Sequence, residues 1–156
     1  MKTVLLLIGK THNKHFLAGI EDYVGRISHY MPFSLDVIPE LKNTKRLSEE
    51  QQKEKEGELL MGHIQPSDTV VLLDEHGSEM RSLGFADWLQ KKVNTSRRLV
   101  FVIGGPYGFS QAVYKRANEM ISLSRMTFSH QMVRLIFVEQ LYRACTIMKG
   151  EPYHHE

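Results

Sequence analysis

With 156 residues, 18.1 kDa, 42% hydrophobic and 24% charged residues, the chain has the size and composition of one globular domain around a single sizeable core. That mix excludes disordered, fibrous and repeat-dominated proteins. The net charge is only +2, yet residues 1–96 hold 12 Lys and Arg against 14 Asp and Glu, while residues 97–156 hold 8 against 4. A basic C-terminal third points to a polyanionic partner, although a pI near 8.7 stays under the value of about 9 that marks dedicated nucleic-acid binders.

Val4 to Ile8 is an unbroken apolar run closed by Gly9, the pattern of a strand buried on both faces in a parallel sheet. Phe16, Leu17, Ile20, Tyr23, Val24, Ile27 and Met31 recur at three- and four-residue steps and predict an amphipathic helix ended by Pro32. Phe33 to Ile38 reads as a second strand with one face partly exposed. Glu40 to Glu58 is nearly all charge and amide, so its first half is expected to be a mobile surface loop. Ser48 and Gln51 form a capping-box pattern that starts a solvated helix.

Thr69 to Leu73 is a third buried strand, followed by Asp74-Glu75-His76-Gly77 and a helix near Gly84 to Val93. Leu99 to Ile103 is the fourth strand, ending in Gly104-Gly105-Pro106. Ser110 caps a short helix through Asn118, and Met120 to Ser124 is a fifth strand or extended segment. Strands and helices alternate throughout, which predicts a single α/β domain over residues 1–156 with a parallel sheet and right-handed crossovers. From Met132 to Met148 apolar residues face every direction, with Arg134, Glu139, Gln140 and Arg143 as the polar exceptions. A helix apolar all round must be covered all round, so a homodimer that buries it is expected.

Cys145 is the one cysteine, which leaves no intrachain disulfide, and no Cys/His pair has zinc-site spacing, so no metal is expected. The five-residue run at Val4 is too short for a signal-peptide core or for the roughly 20 residues of a membrane span. A reduced, soluble, cytoplasmic protein without membrane contact is the expectation. The chain has no GxxxxGK[ST], HExxH or GxSxG, and its first strand ends in a lone glycine instead of GxGxxG.

Three segments remain as candidates. Ile103 to Phe109 is a glycine-rich loop between a buried strand and a helix, suited either to close approach of a ligand or to a plain tight turn. Pro106 removes an amide donor, which makes the loop a poor phosphate cradle. Leu123 to His130 mixes hydroxyls with Leu, Met and Phe, which suits the adenine and thioether of a purine-type cofactor, or a loop in which Ser129 caps the next helix. The ending Glu151-Pro152-Tyr153-His154-His155-Glu156 reads as a frayed terminus unless Pro152 and the preceding helix anchor it. Glu139 and Arg143, four apart on an otherwise apolar helix, need a reason to be there.

Together, Phe101 to Gly108, Leu123 to His130, Val133-Arg134 with Glu139 to Ala144, and Tyr153-His154-His155 closely resemble the bacterial ribosomal RNA large-subunit methyltransferase H family. That family belongs to the knotted SPOUT methyltransferases and acts on N3 of a pseudouridine in large-subunit (23S) ribosomal RNA. The resemblance runs nearly the whole length and is least diagnostic over Glu40 to Glu58. It implies a SPOUT fold with a C-terminal deep trefoil knot, a topology nearly absent from proteins at large, and S-adenosylmethionine bound at the knot.

The family's cofactor contacts carry over to Leu73, Gly104, Leu123, Ser124, Arg125, Met126, Thr127 and Phe128, with the backbone of Arg125 and Met126 as the contacting part. Methylating a uracil-type N3 requires removal of its proton and stabilisation of charge on the ring. His154 is expected to serve as base or proton relay and Arg143 to stabilise the anion or hold phosphate. Tyr153 would stack or orient the base, and Glu139 would position Arg143. The implied partners are 23S ribosomal RNA within the ribosome and a second copy of the chain. A SPOUT enzyme for transfer RNA and a non-catalytic ribosome-binding factor are the alternatives.

Overall fold

The computed structural model describes residues 2–155. In chain order the elements are β1 (Lys2–Ile8), α1 (Lys14–Ile27), β2 (Phe33–Ile38), a 3-10 turn at Thr44–Arg46, α2 (Glu49–Gly62), β3 (Thr69–Glu79), α3 (Ser82–Thr95), β4 (Arg98–Ile103), α4 (Gln111–Arg116), β5 (Glu119–Ser122) and α5 (Met132–Met148). All strands pair in parallel, in the order β2-β1-β4-β3-β5, as the alternation of strands and helices predicts.

Strand side chains point alternately to the two sheet faces, and here each face has its own core. Leu5, Leu7, Leu99, Phe101, Ile103 and Val71 face one side, where α1, α3 and α5 pack. Val4, Leu6, Ile8, Val100, Val102, Val70 and Leu72 face the other, under α2 and α4. Burial on both faces explains why the strands are unbroken apolar runs. Phe101 meets Phe137 of α5 at 4.8 Å between ring centres, and Phe85 and Trp88 of α3 extend this aromatic cluster.

Several boundaries differ from the sequence reading, each for a local reason. Asn13 caps α1 by accepting from the amides of His15 and Phe16, so the helix begins earlier. It ends at Ile27, where the Ser28 hydroxyl donates to the Val24 carbonyl and the chain turns through Tyr30 and Met31. β3 does not stop at Leu73. Its register against β5 shifts between Leu73 and Ser78, and pairing then resumes at Ser78–Ile121 and Glu79–Ser122. At Gly77 a Cβ would lie 2.6 Å from the Ile121 backbone, so only glycine lets the strands pass this irregularity. The capping box of Ser48 and Gln51 forms as expected. The helix it starts is less solvated than its composition implied, because Glu56, Gly57 and Leu60 are buried, the Glu56 carboxyl against Gly105.

α5 spans Met132–Met148, with no residue fully exposed. Its cover comes from within the chain: α1 on one flank, α3 on the other and the sheet beneath. The helix therefore needs no second chain to bury Leu141, which is 0% exposed in its own chain and is a core residue. Leu141→Asp should therefore unfold or aggregate the protein instead of yielding a folded monomer, since an unpaired buried charge costs several kcal/mol. A cooperative thermal melt like that of the parent chain, seen by circular dichroism, would contradict this placement. Among the described residues no helix is long and apolar enough to cross a membrane.

Candidate active site

A cleft opens at the carboxyl edge of the sheet, where ligands bind in parallel α/β folds. It encloses about 460 Å³, within the range of small-molecule sites. Leu73 at the shift in β3, Gly104 after β4, and Leu123, Ser124, Met126, Thr127 and Phe128 after β5 all line it. Three separate chain segments thus converge, and seven of the eight expected cofactor positions share one cavity. The eighth, Arg125, turns away: its side chain is 88% exposed and donates to Glu79 at 2.7 Å. Arg125 is not among the residues that line the cleft.

The walls combine apolar and polar surface. Leucine, methionine and phenylalanine give apolar surface, Ser122, Ser124 and Thr127 give hydroxyls, and the Gly104-Gly105 backbone forms the floor. A Cβ on Gly104 would sit 3.0 Å from the ring of Phe109, a core residue. A side chain there would press on the Phe109 ring, so valine would disturb the core as well as the cleft.

One corner of the cleft is polar, which the sequence reading missed. Asp74, with a side chain only 8% exposed, accepts from the Tyr114 hydroxyl at 2.5 Å through Oδ2. Its Oδ1 accepts from the His76 amide at 2.8 Å and lies 3.0 Å from His76 Nδ1. Burial alone pushes the Asp74 carboxyl up, but the bonds from Tyr114 and His76 outweigh it and hold it below the usual carboxylate range. Burial and the same carboxylate push the Tyr114 hydroxyl up to about 12, so it stays a donor. The signal for this pair was an acidic residue placed directly after the apolar run Thr69 to Leu73.

The tail is docked, not frayed. After α5 the chain turns at Gly150 (φ 69), and the Glu151 amide donates to the Thr146 carbonyl. The Tyr153 ring packs edge-on against Tyr142 at 4.8 Å, beneath the Arg143 guanidinium at 4.9 Å. Its hydroxyl donates to Glu139 Oε1 at 3.0 Å and lies 3.3 Å from the Tyr23 hydroxyl. Burial, with the Tyr23 and Glu139 partners, drives its pKa far up. Arg143 donates to Glu139 at 2.5 Å and to His154 Nδ1 at 3.1 Å. The structure thus gathers all four expected catalytic residues, Glu139, Arg143, Tyr153 and His154, into one cluster. It does not bring them to the cleft: Val133 lines the cleft, and ten helical residues, about 15 Å of rise, separate it from Arg143.

Between the two ends, Arg134 is 1% exposed. It donates to the Ile8 and Gly9 carbonyls at 2.8 and 2.9 Å and to the Thr11 hydroxyl at 3.0 Å, tying α5 to the end of β1. Ser129 accepts from the Met132 amide at 3.1 Å, so it caps the entry to α5 as expected, although the helix proper starts after Gln131. Among the described residues no group of three His, Cys, Asp or Glu could hold a metal.

The cleft thus lies at the carboxyl edge of a parallel sheet, between the glycine turn after β4 and the loop before the last helix. A family model described as "Predicted SPOUT methyltransferase" matches residues 1–154, and the chain belongs to that family. It is 64% identical to the ribosomal RNA large subunit methyltransferase H of Bacteroides fragilis and also 64% identical to that of Bacteroides thetaiotaomicron, with the whole of each chain covered. The protein of the same name from Flavobacterium johnsoniae is 56% identical, again over both full lengths.

Proposed function

We propose that the protein transfers a methyl group from S-adenosylmethionine to N3 of a pseudouridine in large-subunit ribosomal RNA, on the assembled ribosome in the cytoplasm. The observation that carries this reading is the convergence of Leu73, Gly104 and the Leu123 to Phe128 loop on one cleft of nucleoside size. When bound, the cofactor supplies an electrophilic methyl on a sulfonium. Leu73, Leu123, Met126 and Phe128 would enclose its apolar parts, with Ser124, Thr127 and the Gly104 backbone for its polar ones. The C-terminal knot of the family belongs to the same reading.

The tail cluster supplies the residues for the base. The guanidinium of Arg143 can only donate, so His154 Nδ1 accepts from it and the ring proton resides on Nε2. In this arrangement His154 is a donor or relay; to act as base at N3 it must first exchange Arg143 for substrate. Glu139 holds Arg143 and Tyr153 together, leaving the guanidinium to stabilise charge on the uracil ring as the N3 proton departs. Since about 15 Å of helix separates a chain's cleft from its own tail, the tail that completes a cleft is assigned to a second copy of the chain in a homodimer.

Incubation with labelled S-adenosylmethionine and assembled ribosomes, free ribosomal RNA or transfer RNA tests the reading. Label should enter ribosomes; label in transfer RNA alone would redirect the substrate, and no label anywhere would remove the activity. Deleting residues 153–156 should leave cofactor affinity intact while ribosome methylation falls about 10²-fold or more. Because Tyr153 is packed, the deletion should also lower the melting temperature. Methylation at the parent rate would remove the tail from the site.

A further inference from the structure

The charge of the cleft has a chemical use. Its described lining includes two carboxylates, Asp74 and Glu75, and two histidines, His76 and His130, but no lysine or arginine. The cation nearest in sequence, Arg125, is outside the lining and committed to Glu79. Of the two acids, Glu75 is 60% exposed and screened by solvent. Asp74 is nearly buried, with both oxygens held in place by Tyr114 and His76, so its charge is fixed and poorly screened.

We propose that Asp74 is a specificity-determining residue that sets the preference of the cleft for a sulfonium over a neutral thioether, favouring the charged cofactor and weakening the hold on its demethylated product. This rests on the cofactor reading above. S-adenosylmethionine and S-adenosylhomocysteine share the same adenosine, ammonium and carboxylate, and differ by one methyl and one positive charge. Apolar walls and hydroxyls treat the two nearly alike; a fixed carboxylate does not. Opposite unit charges about 6 Å apart, across an effective dielectric of about 40, gain about tenfold in affinity. Tyr114 and His76 are positioning residues: their donated bonds hold the carboxylate ionised and still. Preference of this kind limits product inhibition, because transfer of the methyl removes the charge that the cleft was holding.

Titration calorimetry of the full chain with each ligand tests this. Asp74→Asn should weaken S-adenosylmethionine about tenfold and leave S-adenosylhomocysteine within about twofold. Tyr114→Phe keeps the carboxylate but removes a bond that holds it ionised and still, so the ratio of the two affinities should fall part of the way toward that of Asp74→Asn. In the parent protein the sulfonium should bind more tightly than the thioether, and because Asp74 is nearly buried the preference should persist as sodium chloride rises, a readout that needs no variant to fold. Equal weakening of both ligands by Asp74→Asn, or a parent protein that binds the thioether as tightly as the sulfonium, would overturn the proposal. Failure of the parent protein to bind either ligand would instead overturn the cofactor reading.

Discussion

Arg143→Ala should lower methyl transfer to ribosomes by about 10²- to 10³-fold, the size of effect seen when a donor aimed at developing charge is removed. Affinity for S-adenosylmethionine should be unchanged, because Arg143 lies far down α5 from the cleft of its own chain. The loss should be larger than simple deletion of a charge on the surface, since Arg143 also holds His154 and covers the Tyr153 ring. His154→Ala should lose rate too, and the double variant should lose less than the product of the two, as for groups that act as a unit. Single-turnover measurement with saturating cofactor separates this from binding. A multiplicative double variant would place the two residues in independent roles, and an Arg143→Ala enzyme of parental rate would remove the cluster from the chemistry.

Arg134→Met should destabilise the fold by about 3 kcal/mol, a large share of the total for a domain of this size. Methionine nearly matches the volume, so the loss reports the hydrogen bonds and not a cavity. The Ile8 and Gly9 carbonyls and the Thr11 hydroxyl each lose a charged donor in a place that water reaches poorly. Burial already pulls the guanidinium pKa below its ordinary value, with nearby Glu40 opposing. Its charge is tolerated only because those carbonyl oxygens face it. Arg134→Lys, which cannot span the same acceptors, should fall between the two. Urea unfolding with an unchanged slope is the measurement, and a loss under about 1 kcal/mol would show that the end of β1 is held by packing alone.

The strands were legible because both faces of the sheet are buried: Val4 to Ile8 and Leu99 to Ile103 can be read as apolar runs without any knowledge of neighbours. The last helix was legible from Met132 to Met148 to the residue, but its surroundings were not. Apolar periodicity says that a face is covered and never by what, so the cover that α1 and α3 supply could not be told in sequence from cover by a second chain. The extension of β3 through Gly77 was invisible because Asp74 to Gly77 has the composition of a turn, and the resumed pairing depends on β5, more than forty residues away.

The site was legible in unequal parts. Cofactor positions came from motif resemblance, and their convergence needed the sheet order. Arg143 and Glu139 stood out as charges on an apolar helix, whereas the docking of Tyr153 depends on Tyr23 and Tyr142, which periodicity assigns to the core. Asp74 escaped notice because nothing in its neighbourhood in sequence names Tyr114, forty residues on, as its partner.

α5 has one end in the cleft and the other in the tail cluster, and this makes it a gauge as well as a core helix. Each added or deleted residue between Val133 and Arg143 would turn everything beyond it by about 100° and shift it by about 1.5 Å. An insertion between Glu139 and Arg143 would part that pair, and one anywhere in this stretch would carry Tyr153 away from Tyr23 while the apolar residues beyond it rotate out of the core. Length and phase are therefore set together by two unrelated demands, packing beneath and chemistry at the ends. Substitutions can tune either end of this helix, but insertions cannot, so variation in chain length is confined to the loops that neither end depends on.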